Sequence, residues 1–146
     1  MQPNKVKQVG GSHYGSENIY GHWDYCKEAD TPYLVGNATK YLMRWRQKNG
    51  IQDLEKSLSY VDKIMEGMPT DYHELNHEID HINLLERMFE QNKVGIPERL
   101  IMRALHTFES YEGIKWARDT LFIYIEQEKE ALEINAKATK AYVNQG

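Results

Sequence analysis

The sequence predicts an all-α protein, and three features of its patterning lead to this prediction. Apolar residues recur at spacings of three and four through most of the chain. Short turns rich in glycine and proline separate these periodic stretches. No segment alternates polar and apolar residues for longer than a few positions. The run LFIYI at 121–125 has the composition of a strand and is the exception to this pattern.

The N-terminal half is predicted to contain a short helix followed by a helical hairpin. The first helix covers 22–29 and stops at the turn Asp30-Thr31-Pro32. The second runs from 33 or 34 to 48, where Asn49-Gly50 is typical of a helix end. The third runs from 51 or 53 to about 66. Because so few residues connect the second and third helices, we expect them to pack antiparallel as a hairpin over about 34–66.

The C-terminal half is predicted to add a further set of helices. Thr70-Asp71 is a typical cap for a fourth helix reaching about 92. Its core side would consist of Tyr72, Leu75, Ile79, Ile82 and Phe89. Pro97 suits the first position of a fifth helix ending near 111, and 114–141 reads as a long last helix. The break Gly67-Met68-Pro69 divides the chain into a pocket-bearing region, 1–67, and a helical extension for packing or assembly, 70–146.

Composition excludes several classes of protein. A net charge of -4 and a pI near 5.9 argue against a protein that binds duplex nucleic acid. Cys26 is the one cysteine, so a disulfide framework is excluded and a reducing compartment is expected. There is no apolar run long enough to span a bilayer, and the N-terminus lacks the apolar segment of a signal peptide. We therefore expect a soluble, intracellular protein without a membrane partner.

A basic stripe on the second helix is the strongest functional feature. Read at 100° per residue, one line of this helix carries Asn37, Lys40, Tyr41, Arg44 and Lys48. The apolar face beside it consists of Leu34, Ala38, Leu42 and Trp45. The stripe contains no acid, which indicates an anion-binding surface suited to phosphate. The alternative is a set of ordinary surface cations, favoured near a helix C-terminus by the macrodipole.

Two overlapping H-E-x-x-H patterns run from His73 to His77 and from His77 to His81. In zinc hydrolases this spacing holds a metal on one helix face. Here a third protein ligand has no candidate, and the histidines lie opposite the apolar face of the predicted helix. We interpret them as a solvated face, with adventitious metal binding as the second interpretation, and we predict no metal site.

Four segments together resemble the SaV-like family of small phage proteins. They are Gly11-Ser12-His13-Tyr14, the aromatic segment His22-Trp23-Asp24, the stretch from Gly36 to Gly50 with Asn37, Lys40, Tyr41, Arg44 and Lys48, and Asp53-Leu54-Glu55-Lys56-Ser57 with Tyr60. The resemblance covers about 11–66. The chain departs from the family at Ser57, where alanine is usual, and at Trp45, where a small residue is common. The family includes an oligomeric podovirus deoxynucleoside monophosphate kinase that lacks a phosphate-binding loop and uses a nucleoside triphosphate with a divalent metal.

The resemblance implies a phage protein with a nucleotide ligand, expected in the host cytoplasm, and it does not by itself imply a kinase. In a kinase, Lys40 and Arg44 would bind phosphate, and Asp53 would hold Mg²⁺ or a sugar hydroxyl. The expected nucleotide contacts are His13, Tyr14, Asn37, Tyr41, Lys48 and Tyr60. Two alternatives stay open: a binding protein that sequesters a cyclic or ADP-ribose-type defence signal, and a helical protein that docks on a host partner. The apolar content of the helices also favours a homo-oligomer.

Overall fold

The computed structural model describes residues 19–74 and 81–145, which contain six helices. They are α1 (His22–Ala29), α2 (Tyr33–Arg44), α3 (Ile51–Met65), α4 (Ile82–Gln91), α5 (Ile96–Thr107) and α6 (Tyr111–Gln145). The described residues form no strand; they form one isolated β-bridge, between His73 and Ser110. The all-α prediction is therefore confirmed, and the strand-like run 121–125 lies within α6.

α2 and α3 form the antiparallel hairpin that their short connection predicts. Their facing sides bury Ala38 and Leu42 against Leu54 and Val61. The Ser57 hydroxyl, which is buried between the helices, donates to the Ala38 carbonyl at 2.7 Å. Apolar contact and this hydrogen bond together fix the register of the two helices.

α2 ends at Arg44, four residues before the predicted end at Lys48. Residues 45–50 turn the chain back, and Gly50 adopts a positive φ of 61° while its N–H donates to the Trp45 carbonyl at 2.8 Å. The predicted end of α2 was wrong because residues 45–50 form the chain reversal, and Gly50 lies at the end of that reversal, directly before α3.

One hydrophobic core joins the hairpin to the C-terminal helices. α6 packs along α3 and α5, and α2 also contacts α5. Fully buried side chains at the centre of this core include Tyr25, Leu85, Phe89, Ile101, Leu105 and Leu121. Both halves of the chain therefore form the walls between which a site can lie.

The fourth helix begins at Ile82 and not at Thr70 as predicted. The backbone of the segment before it pairs with the residues that lead into α6. The Glu74 N–H donates to the Glu109 carbonyl at 2.7 Å, and the Tyr111 N–H donates to the Tyr72 carbonyl at 3.2 Å. Backbone groups used in this pairing cannot also close helical turns, which explains the error. The predicted core positions Leu75 and Ile79 lie outside the described residues.

The last two helices also differ from their predicted bounds. α5 ends at Thr107 because Phe108 is extended, with φ -64° and ψ 140°. α6 starts at Tyr111 and passes through Gly113, whose N–H is accepted by the Ser110 hydroxyl at 3.1 Å. A serine just before the helix thus supplies the start signal, and Gly113 does not break the helix. Among the described residues, no helix is both long and apolar enough to cross a bilayer.

Candidate functional site

A cavity of about 920 Å³ lies between α1, α2 and the segment that connects α4 to α5. Its wall carries four cationic side chains: Lys40, Arg44, Arg46 and Lys93. Amide side chains and two aromatic rings complete the polar and apolar parts of the wall: Asn37, Gln47, Gln91, Asn92, Trp23 and Tyr33. The lining contains one carboxylate, Glu98. The cavity is therefore basic in a protein whose net charge is negative.

Two of the four cavity cations, Lys40 and Lys93, have no ion-pair partner among the described residues, whereas Arg44 and Arg46 are each paired with an acid. No acid lies within ion-pair distance of the Nζ of Lys40 among the described residues. That Nζ lies 4.7 Å from the centroid of the Tyr41 ring, and its charge helps to lower the pKa of the neighbouring His22. An ammonium group without an acidic partner at a cavity wall can bind an incoming anion without first giving up an ion pair.

Arg44 also lines the cavity, and a buried carboxylate beneath it fixes its position. Its Nε lies 3.4 Å from Oδ2 of Asp53, a side chain that is completely buried. Asp53 also accepts the Asn49 backbone N–H at 3.3 Å, which ties it to the turn between α2 and α3. Asp53 is not part of the cavity lining. Its position suits the orientation of Arg44 better than direct contact with a ligand.

The two tyrosines predicted to contact nucleotide pack on each other. The Tyr41 and Tyr60 rings stack with centroids 5.8 Å apart and planes inclined by 15°. Lys40, Arg44 and Lys56 place their charges 4.5–5.4 Å from the Tyr41 centroid. This cluster flanks the cavity, and neither tyrosine lines it.

The remaining predicted nucleotide contacts divide into three groups. Asn37 lines the cavity, and its Nδ2 donates to the Tyr33 carbonyl at 2.9 Å. Lys48 is exposed on the turn after α2 and does not line the cavity. His13 and Tyr14 lie outside the described residues. Of the predicted set, the structure thus brings Asn37, Lys40 and Arg44 together at one wall.

Two neutral groups, His22 and Cys26, lie side by side in the cavity wall. The Thr39 hydroxyl donates to the Val35 carbonyl at 3.0 Å, so it accepts from His22 Nε2 at 2.8 Å. The imidazole therefore carries its proton on Nε2, and Cys26 Sγ lies beside the ring, 3.5 Å from Nε2 and 3.7 Å from Nδ1. Burial, and secondarily Lys40, lowers the pKa of His22 to about 4, while burial raises the pKa of the Cys26 thiol. A neutral thiol of this kind is a poor nucleophile.

Glu98 is the cavity residue that the sequence analysis missed. Its Oε1 accepts from the Trp45 indole at 2.9 Å, from the Tyr124 hydroxyl at 2.8 Å, and from the Arg46 guanidinium. Burial and the adjacent Glu98 raise the pKa of Tyr124. Oε2 of Glu98 is buried and has no hydrogen-bond partner among the described residues.

A signal for Glu98 was present in the sequence. It shares a helix face with Ile101, Met102 and Leu105, which are all buried. An acid on the apolar face of an amphipathic helix must find partners or a ligand, since burial of an unpaired charge is costly. The helix pattern could therefore have marked Glu98 as a site candidate.

The histidine patterns do not form the helical arrangement that a zinc hydrolase needs. His73 and Glu74 lie before α4 in the segment that pairs with residues 109–111, so the prediction of a helix there was wrong. His77 falls outside the described residues, and His81 precedes α4 with its ring 5.7 Å from that of Tyr25. Within 19–74 and 81–145, no group of three histidine, cysteine or acidic side chains could hold a metal ion.

Comparison with known proteins gives one family match. Residues 8–62 match DUF3310, a family described as a protein of unknown function. Neither the curated proteins nor the solved structures include a match to this chain. The matched segment contains α1, α2 and most of α3, and with them Lys40 and Arg44. It ends before Glu98, so the far wall of the cavity comes from the unmatched part of the chain.

Proposed function

We propose that this protein binds a small nucleotide in the cavity, and that it transfers a phosphoryl group to a deoxynucleoside monophosphate. The observation that carries the binding proposal is the Lys40 ammonium group, which has no acidic partner among the described residues and lines a cavity of about 920 Å³. That volume lies within the usual range for small-molecule sites, roughly 300–1,000 Å³. The proposal of transfer, and of a phage protein acting in a host cytoplasm, rests on the resemblance to SaV-like proteins.

Phosphate would lie against Lys40 and Arg44. Successive turns of α2 present the two cations on one side, and Asp53 holds the guanidinium from below. Lys93 adds a cation from the opposite wall of the cavity. Cations that converge in a cleft attract anions more strongly than the same charges spread over a surface.

The nucleoside would lie toward the aromatic rim. Trp23 and Tyr33 line the cavity while exposing 55% and 75% of their surface, so each offers a ring face for base stacking. Tyr41, the predicted stacking residue, already has the Tyr60 ring against it. In the opposite wall, the unpartnered Oε2 of Glu98 suits a donor group of the base or the sugar.

Phosphoryl transfer to a nucleotide needs alignment and charge neutralisation more than a reactive side chain. Lys40 and Arg44 can supply both at the acceptor phosphate. The described residues include no set that fits a metal ion, because Asp53 pairs with Arg44 and Glu98 accepts three hydrogen bonds. In this proposal Mg²⁺ therefore arrives with the phosphates of the nucleoside triphosphate donor.

The same geometry favours sequestration as the second candidate function. The cavity offers cations and aromatic rings, but its thiol is neutral and its single carboxylate is held in a hydrogen-bond network. A site built in this way can hold a cyclic or ADP-ribose-type signal without breaking it. Docking on a host protein, the third hypothesis, would not need the cavity.

A ligand screen separates these functions. Thermal unfolding would be followed with deoxynucleoside monophosphates, nucleoside triphosphates and cyclic dinucleotides, with and without Mg²⁺, and each stabilising ligand would be analysed by mass spectrometry. A ligand at one hundred times its dissociation constant stabilises the native state by about 2.7 kcal/mol, so moderate binders are visible.

Each outcome of the screen supports one function. A monophosphate that stabilises the protein and becomes a diphosphate when ATP and Mg²⁺ are added supports the kinase. A ligand that stabilises the protein and is recovered intact in the presence of ATP and Mg²⁺ supports sequestration. If no nucleotide shifts the transition, the binding proposal is wrong and docking is favoured.

A further inference from the structure

The connection between α4 and α5 contains a lysine in a backbone conformation that favours glycine. Lys93 has a φ of 52°, in the left-handed region, where a residue with a Cβ carries strain that glycine does not. Among the described residues other than glycine, Asp30 is the second with a positive φ, and aspartate adopts this conformation more readily than lysine does. Strain of this kind is often found at functional sites, so the side chain of Lys93 needs an explanation.

The end of α4 explains the backbone of Lys93 but not its side chain. The Val94 N–H donates to the Phe89 carbonyl at 3.0 Å, and the Lys93 N–H donates to the Glu90 carbonyl at 3.2 Å. These two bonds close a helix around a left-handed residue, which is usually glycine. Val94 and Phe89 are buried, so packing holds the turn in place. The turn therefore requires a left-handed residue at this position, and neither bond uses the lysine side chain.

The side chain of Lys93 lines the cavity and is exposed. It has no ion-pair partner among the described residues, and in this respect it resembles Lys40. Arg46 shows that the end of α2 meets the connection that carries Lys93, because its Nη1 would lie 3.3 Å from a Cβ at Gly95. The two unpaired ammonium groups therefore belong to two neighbouring walls of one cavity.

We propose that Lys93 binds a second phosphate group, so that the cavity selects nucleotides with two or more phosphates over monophosphates. This inference rests on the proposed function, in which the first phosphate lies against Lys40 and Arg44. A monophosphate held there leaves the Lys93 ammonium group without an anion, whereas a longer phosphate chain brings a further charge to it. The strained backbone is then retained because a glycine at 93 would lose this cation.

Ligands that differ by one phosphate test the second contact. Isothermal titration without Mg²⁺ would measure the dissociation constants of deoxynucleoside monophosphates and of the corresponding diphosphates. The wild type should bind the diphosphate about tenfold more tightly than the monophosphate. In Lys93→Gly and Lys93→Met this preference should fall below about twofold, while the affinity for the monophosphate stays within about twofold of the wild type. Lys93→Arg keeps the charge and should keep the preference.

Thermal unfolding without ligand should respond to Lys93→Gly in the opposite direction. Glycine relieves the left-handed strain, so the midpoint should rise by up to about 4 °C. Lys93→Met keeps the strain and should give no such rise. Asp30→Gly is the matched control, because Asp30 has a φ of 50° and does not line the cavity. This variant should keep the preference for the diphosphate.

The outcomes separate this inference from the proposed function. If the wild type binds no nucleotide, both are wrong. If Lys40→Met weakens monophosphate binding but the wild type binds diphosphates no more tightly, the proposed function stands and the role of Lys93 is wrong. Equal losses for both ligands in Lys93→Gly would also refute that role. A midpoint that falls in Lys93→Gly would show that the lysine serves the fold, and it would overturn the inference as well.

Discussion

Lys40→Met is the substitution that tests the proposed phosphate site most directly. Methionine keeps most of the length and the apolar character of the side chain while removing its charge. Because Lys40 has no acidic partner among the described residues, the change leaves no buried carboxylate unpaired. In the protein without ligand, the substitution removes the cation–π contact of Lys40 with the Tyr41 ring, which contributes about 0.5–1 kcal/mol to stability at an exposed site.

The loss in ligand affinity should be larger than the loss in stability. A hydrogen bond to a charged group contributes about 1.5–3 kcal/mol. At 1.4 kcal/mol per factor of ten, the dissociation constant for a nucleotide phosphate should rise roughly 10- to 150-fold. Isothermal titration with the nucleotide that gives the largest thermal shift measures this change. Lys48→Met is the matched control, because Lys48 lies on the same predicted stripe but outside the cavity. The dissociation constant of this variant for the same nucleotide should stay within about twofold of the wild-type value.

The same variant has a second readout that does not need a ligand. Burial is the main cause of the low pKa of His22, and the charge of Lys40 is the second cause. In Lys40→Met the His22 pKa should rise above about 4 while staying below 6.5, which NMR titration of the imidazole measures. If the His22 pKa does not change and the dissociation constant changes less than twofold, Lys40 does not face the cavity as described.

Two further predictions concern stability. Gly95→Ala would place a Cβ 2.6 Å from Oε2 of Glu98, and the other carboxylate oxygen of Glu98 is held by three donors. Chemical denaturation should therefore show that the free energy of unfolding falls by about 1–3 kcal/mol. Gly36→Ala is its control: the nearest atom would be 3.8 Å away, so equal losses in both variants would contradict the crowding argument. Burial lowers the pKa values of His22 and His106 to about 4 and 3, so the unfolded chain binds more protons below pH 6.5. The free energy of unfolding should therefore fall from pH 6.5 to pH 5 by up to about 1.4 kcal/mol per pH unit for each histidine, and a flat profile in urea titrations would refute this.

The sequence determined most of the N-terminal half of the fold. Helix periodicity and the Asn49-Gly50 turn were sufficient for the α2–α3 hairpin, because both are local properties of neighbouring residues. The spacing of the stripe on α2 also predicted Asn37, Lys40 and Arg44 as candidate site residues, and all three line the cavity. Periodicity could not show which part of the stripe would face a cavity. Lys48 follows the turn away from the cavity, and Tyr41 packs on Tyr60.

Only the tertiary structure decided the other wall of the cavity and the start of α4. Glu98 accepts a hydrogen bond from the indole N–H of Trp45, which is 53 residues away in the sequence. No local pattern predicts a contact over that separation. The segment before α4 has a good capping sequence, but its backbone pairs with residues 109–111. Local signals set what each segment prefers, whereas burial and distant hydrogen bonds determine which preference is realised. In this chain the sequence determined the helices and the cations of the candidate site, and the packing of α5 against α2 determined the cavity that they line.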